Sequence, residues 1–322
     1  MKLKRLILTA AAVFLISAIP ARAAGAEKMN ATRQYEANIF LSNFAEQDGN
    51  FQYNEDTPVA DLVDFAHMYT KINKNSSIKY EDLDGGYYET LTLKQVNEVL
   101  DRFFDISLSE KIAKSEKCNY DAFYSKGKYY FPAADGESLP RFAVVYSEEK
   151  LDKDLIKLRF KIFELDLDKY LDNGITKKYY NMDEAAAEKS SDVEETGLGV
   201  AIVTPYKFNK RDSFRLVSCD MYLYDSSDDT VNPLYAGNYT YYGQYDHNKH
   251  TLSADPDEDD MLSITVKNDE LYYSDDDSGA TEVMTTENGH DFSSADGYEI
   301  TIVGDEIYEF SKRGMDIYVL ED

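Results

Sequence analysis

The chain has 322 residues, a formal net charge of −27 and an apolar fraction of 43%. That is length and apolar content enough for two ordinary domains, and too much for a disordered chain. The negative field repels nucleic acid, anionic lipid and anionic wall polymer and attracts cations and basic proteins, which argues against DNA or RNA binding.

Residues 1–26 read as a secretory signal peptide. Lys2, Lys4 and Arg5 precede an apolar run from Leu6 to Ile19 that is too short to span a bilayer, and small-residue cleavage sites end at Ala23 and Ala26. No cysteine follows either site, so a lipoprotein anchor is not expected, and no later segment is apolar enough to cross a membrane. The mature protein is expected to be secreted, or held at the cell surface by binding. Its charge is uneven: residues 27–224 carry 36 acidic and 26 basic side chains, whereas residues 225–322 carry 25 and 4. The shift places a domain boundary near Asp225.

The first part of the mature chain has helical period. "QYEANIFLSNFAEQ" sets Tyr35, Ile39, Leu41 and Phe44 along one side of a helix. "TPVADLVDFAHMYTKIN" offers Thr57 as N-cap and Pro58 as first helical residue. "TLKQVNEVLDRFFDI" opens with a capping box, Thr92 to Gln95, and a short fourth helix is expected from Ser107.

The period then changes. "YDAFYSKGKYYF" reads as a hairpin about Lys126-Gly127, and "RFAVVY", "LIKLRFKIF", "GVAIVTPY" and "SFRLVSCDMYLY" read as strands. In "LIKLRFKIF", Ile156, Leu158, Phe160 and Ile162 alternate with Lys157, Arg159 and Lys161, the pattern of a strand with one wet face. Helices followed by an antiparallel meander imply an α+β domain over residues 27–224, with helices packed on one sheet face; a cystatin-like or nuclear-transport-factor-like curved sheet fits. Asn181 to Gly197, polar and alanine-rich, is expected to be a surface helix or loop.

Residues 225–322 hold seven or eight short strands, with tight turns at Asn268-Asp269, Gly304-Asp305 and Arg313-Gly314. This implies a small up-and-down barrel or sandwich. "GNYTY" resembles the Gly-x-aromatic opening strand of lipocalin-like barrels. "ANIFLSNFAE", "DLVDFAHMYTKIN" and "LKQVNEVLDRFF" resemble uncharacterised exported proteins of Gram-positive, gut-type bacteria over roughly the first hundred mature residues. That resemblance implies export and carries no activity.

Motifs of catalysis are scarce. Ser-x-x-Lys occurs at Ser76/Lys79, Ser125/Lys128 and Ser147/Lys150 without its companion motifs, and there is no Gly-x-Ser-x-Gly elbow. Phosphate loops and zinc signatures are absent. His67 is the single histidine of residues 27–224 and reads as a boundary residue on its helix. Glu164, Asp166 and Asp168 would share one face of an extended strand, as a carboxylate pair for glycoside hydrolysis requires. Yet the apolar parity switches at Ile162-Phe163, so a bulge or strand end is expected there. Asp166 or Asp168 then caps a short helix that stops at Asn173-Gly174.

Cys118 and Cys219 can form one disulfide in an exported chain, or remain two apolar thiols; sequence fixes neither. Cys219 shares an alternating face with Val217, Met221 and Leu223. Tyr239, Tyr241 and Tyr245 point to one side of their strand and Tyr242 to the other, which suits a barrel core better than a sugar platform. Asp255, Asp257 and Asp259 in "HNKHTLSADPDEDD" suit calcium by their alternate spacing, although solvated loop tips share that composition.

The expectation is therefore a secreted, non-catalytic binding protein of the cell surface or extracellular space, with a protein or glycan ligand and no cofactor. The alternatives are a carboxylate-dependent extracellular hydrolase and a calcium-dependent surface module.

Overall fold

The structure, a computed structural model, describes residues 29–47, 52–54, 57–83, 85–133, 140–151, 154–224, 237–246, 251–254, 261–267, 270–275, 281–286, 291–294, 299–303, 306–310 and 314–320. Three helices open it: α1 (Ala31–Ala45), α2 (Val59–Lys74) and α3 (Leu93–Phe104). The Thr92–Gln95 capping box forms in full at the start of α3. Two boundaries differ from expectation. Pro58 is itself the N-cap of α2, because the Thr57 hydroxyl accepts from the Asn54 amide instead. The short α4 (Glu110–Ser115) is capped by Ser109, not Ser107.

Between these helices lies a small sheet formed by β1 (Lys79–Leu83), β2 (Gly86–Thr92), β3 (Phe123–Ser125) and β4 (Lys128–Pro132), ordered β1-β2-β4-β3. The expected hairpin at Lys126-Gly127 joins β3 to β4. The β1–β2 hairpin is not evident from alternation, because both of its faces mix tyrosine with acid.

The main sheet is the expected meander of β5 (Arg141–Lys150), β6 (Ile156–Leu165), β7 (Val193–Phe208) and β8 (Arg211–Leu223), in that order and antiparallel. Helices α1–α3 pack on one face, where Phe40, Phe44, Phe65 and Phe103 meet Leu158, Phe160 and Met221 in one core. Gly199 lies under the Phe160 ring, and a Cβ there would stand 2.1 Å from it. Buried polar groups of α1 satisfy strand β5: Ser42 Oγ accepts from the Ala143 amide and Asn38 Oδ1 from the Val145 amide, each at 2.9 Å. This closes the open edge of the sheet. Cys219 lies in the core with Met221 and Leu223, but Val217 does not share their face, because the β7–β8 register slips beside it. Both cysteines are free thiols.

The β6–β7 register shifts at Ile162/Phe163, and Asp166 then caps α5 (Leu167–Asn173), which ends at Gly174 with φ 62°. Two further short helices follow, α6 (Lys177–Tyr180) and α7 (Glu184–Glu188). The surface helix expected in residues 181–197 is present as α7, exposed at Ala186 and Glu188 but docked by its other face. Glu184 and Ala187 of α7 are buried against the sheet, in contact with a cluster that includes Phe142, Phe163 and Met182.

The last part is a closed, all-antiparallel barrel of eight strands. They are β9 (Gly237–Asp246), β11 (Met261–Lys267), β12 (Glu270–Asp275), β13 (Thr281–Thr286), β14 (Asp291–Ser294), β15 (Glu299–Val303), β16 (Glu306–Phe310) and β17 (Gly314–Leu320). β17 pairs with β9 to close the ring. A further strand, β10 (Thr251–Ala254), extends the edge of β9 beside β11. Lys267 pairs with Glu270, Val303 with Glu306 and Phe310 with Met315; the turn residues expected at Asn268-Asp269, Gly304-Asp305 and Arg313 lie outside the described residues, while Gly314 opens β17. Tyr239 and Tyr241 point into the barrel core with Phe292 and Ile302, and Tyr242 points out. The side chain of Tyr245 lies outside the described residues.

One expectation is reversed. The Lys157, Arg159 and Lys161 face of β6 is not wet: their side chains are 4%, 0% and 2% exposed. The barrel covers Lys157 and Arg159, and α7 covers Lys161. Glu306 reaches Lys157 Nζ at 3.0 Å and Arg159 Nη2 at 2.6 Å, while Tyr308 donates to Glu306 at 2.7 Å. Leu198, Val200 and Tyr222 of the sheet pack around this pair against Val303, Met315 and Ile317 of the barrel wall. Tyr242 offers its ring face to the Arg159 guanidinium at 4.8 Å.

Candidate functional site

Helix α2 and the small sheet build the most organised polar group that reaches the surface. His67 and Lys71 are one helical turn apart on α2 and both point at Glu89 of β2. His67 Nε2 lies 2.7 Å from Glu89 Oε2, and Lys71 Nζ lies 3.0 Å from Oε1. Burial pushes the Glu89 carboxyl up, but the His67 and Lys71 contacts outweigh it and hold Glu89 below its ordinary range. The His67 ring lies parallel on Phe131 at 3.8 Å. His67, read from sequence as a boundary residue, is in fact buried and paired.

Tyr80 and Tyr87 extend this group to solvent. Their positions on β1 and β2 place them on the same sheet face as Glu89. The Tyr80 hydroxyl donates to Glu89 Oε1 at 3.4 Å. The two rings stack at 5.4 Å and 13°, and the residues remain 46% and 56% exposed. Large aromatic rings half open to water, braced on the same sheet face by a buried ionic triad, form a platform. The sequence signal was the pair of tyrosines in "IKYED" and "GGYYET", masked by a weak strand pattern.

A cleft of about 610 Å3 lies elsewhere, where β6, β7 and the start of α5 meet. Its wall includes Glu164, Asp166, Asp192, Glu194 and Glu195. Most of these carboxylates are engaged. Glu164 pairs with Arg141 at 2.9 Å, Asp166 accepts the Asp168 and Lys169 amides as a helix cap, and Asp192 pairs with Lys178 at 2.9 Å. Glu195 binds Lys161 at 2.9 Å and accepts from the Tyr224 hydroxyl at 2.6 Å. The trio Glu164, Asp166 and Asp168 is not extended and does not share a face.

Lys161 is also held by Glu184 at 2.8 Å and Glu188 at 2.7 Å. Three carboxylates share one ammonium. Lys161 is accordingly held above its usual range, whereas burial pushes Glu184, the deepest of the three, up to about 7 despite the lysine.

No Ser-x-x-Lys pair lies on a helix that would aim both side chains one way: Ser76/Lys79 and Ser125/Lys128 each straddle two elements, Ser147/Lys150 lie on β5, and Lys128 is bound to Glu81 at 2.5 Å. Burial, with Asp64 second, pushes the Cys118 thiol up, and burial pushes Cys219 up as well, so neither is an activated thiolate. Among the described residues there is no group of three or more side chains placed to hold a metal. Asp255, Asp257 and Asp259 lie outside the described residues, as do His247 and His250. No described helix is long and apolar enough to cross a membrane. No protein-family model, curated protein or solved structure matches the chain.

Proposed function

We propose that the protein is an exported, non-catalytic binding protein that holds a neutral glycan on the tyrosine platform of its small sheet. The exposed, mutually stacked Tyr80 and Tyr87 carry this reading. Aromatic faces suit the apolar faces of sugar rings, and rings already stacked before binding lose little entropy on contact. The chain's charge of −27 favours neutral over anionic polymers. The leader-like residues 1–26 support export to where such polymers are met. A hydrolytic reading is less well supported, since the carboxylates of the acidic cleft between β6, β7 and α5 are mostly committed to arginine, lysine or helix-cap contacts.

The test is affinity electrophoresis of the mature chain through gels containing neutral polysaccharides, including β-glucans, mannans and xylans. Retardation is expected in at least one gel. Tyr87→Ala and Tyr80→Ala together should weaken it about tenfold or more without lowering the melting temperature appreciably. Migration unchanged in every gel, or retardation that survives the double substitution, would reject the reading.

A further inference from the structure

A second cleft, of about 380 Å3, opens between the start of α1, the end of α3 and the β7–β8 hairpin. Its wall includes Tyr35, Glu36, Arg102, Phe208, Arg211 and Asp212. Arg102 is unusual here. The other described arginines and lysines that are buried or half-buried each have a carboxylate: Arg33 with Glu148, Lys71 with Glu89, Lys128 with Glu81, Arg141 with Glu164, Lys157 and Arg159 with Glu306, Lys161 with Glu184, and Arg215 with Asp101. Arg102 has no carboxylate partner among the described residues, in a chain with 61 acidic side chains.

Three rings instead hold its guanidinium, Tyr69 at 5.2 Å, Phe103 at 4.7 Å and Phe208 at 4.4 Å. Nη1 donates to the Tyr69 hydroxyl, and Nε is buried with no acceptor. Aromatic faces hold a guanidinium in place but leave most of its donors unused. A half-buried cation with donors to spare is costly unless something completes it.

Glu36, which also lines the cleft, is half-buried and has no ion-pair or hydrogen-bond partner among the described residues. Asp212 differs, being bound to Lys207 at 2.8 Å. The cleft therefore presents one uncommitted half-buried cation and one uncommitted half-buried anion that do not reach each other. Tyr35, Ile39, Phe40 and Phe208 supply apolar surface between them. Its volume suits a small ligand.

We infer that this cleft binds a zwitterion, an amino acid or short peptide with an apolar side chain, its carboxylate on Arg102 and its ammonium on Glu36. A zwitterion has no net charge, so the protein's negative field does not exclude it as it would a simple anion. This site is separate from the tyrosine platform and does not depend on it.

The experiment is isothermal titration of the full mature chain with leucine, phenylalanine, leucyl-phenylalanine and alanyl-tyrosine, and with the N-acetyl and C-terminal amide forms of the tightest. Saturable binding is expected for at least one probe, weakened about tenfold by acetylation and again by amidation. Arg102→Met retains the packed stem and should abolish discrimination between acid and amide. Glu36→Gln should abolish discrimination between free and acetylated amine. Glu36 lies on the cleft wall, so this second variant decides the matter even if Arg102→Met fails to fold. Absence of saturable binding for all probes at millimolar concentration overturns the inference. So does binding that ignores acetylation, or that Glu36→Gln leaves with its discrimination intact.

Discussion

Glu46 ends α1 buried, with the Tyr180 hydroxyl donating to it at 2.7 Å. Burial pushes its carboxyl from 4.5 up to about 7, the tyrosine contact opposing only part of the rise. The folded state therefore keeps a proton that the unfolded chain releases between those two values. Stability falls as pH rises through that window and levels off above it, and Glu184 acts in the same direction over the same range. Glu46→Gln, which keeps the shape without the charge, should raise unfolding free energy near pH 8 by up to about 3 kcal/mol and change it little near pH 4. Urea denaturation at the two pH values measures this; an equal effect at both would show that ionisation of Glu46 is not the cause. Sequence offered no hint of this residue, since an acid at a helix end normally faces water.

Capping and parity were the most legible signals at the level of single elements. The Thr92–Gln95 box and the Asp166 cap each depend on a few adjacent residues, so local chemistry decides them. The bulge at Ile162/Phe163 announced itself because apolar residues changed side within one strand. The β1–β2 hairpin did not, because Tyr87 and Tyr88 occupy opposite faces and erase the alternation that marks a half-buried strand. The tyrosine platform was hidden with it. Thr92→Ala should cost about 1 kcal/mol by urea denaturation, with Thr92→Ser restoring most of it. A loss shared equally by Thr92→Ser would point to the methyl group and away from the cap.

The barrel and the meander meet through charge as well as apolar contact, and this long-range match was not legible. Alternating Lys157, Arg159 and Lys161 look like a solvated face; Glu306, far along the chain, buries the first two, and Glu184 and Glu188 of α7 the third. Arg159 and Lys157 hold the buried Glu306 down at about 2 against the opposing effect of its burial. Its folded value lies below the ordinary 4.5, so its contribution is present above about pH 4.5 and lost as pH falls toward 2. Glu306→Gln removes the buried carboxylate that Lys157 and Arg159 share, leaving Arg159 only the more exposed Glu149 at 3.0 Å, and should destabilise the whole chain by about 3–5 kcal/mol. Replacing Lys157, Arg159 and Glu306 together by Met should recover most of that loss, because the cost lies in unpaired charge and not in lost attraction. Chemical denaturation of both variants decides it; a triple variant no more stable than Glu306→Gln would refute this account of the interface.

Closure of the barrel by β9 against β17 has a consequence for the order in which the molecule matures. The wall that docks on the meander draws on β9 and on β14 to β17, so four of its five strands are the last four of the described chain. A ribosome completes the meander long before it supplies Glu306. A meander formed before Glu306 arrives would leave Lys157 facing water and Arg159 beside Glu149, where a solvated cation costs little, and its own charge would oppose premature apolar association. The buried ion cluster of the finished protein would then double as a guard for the nascent one.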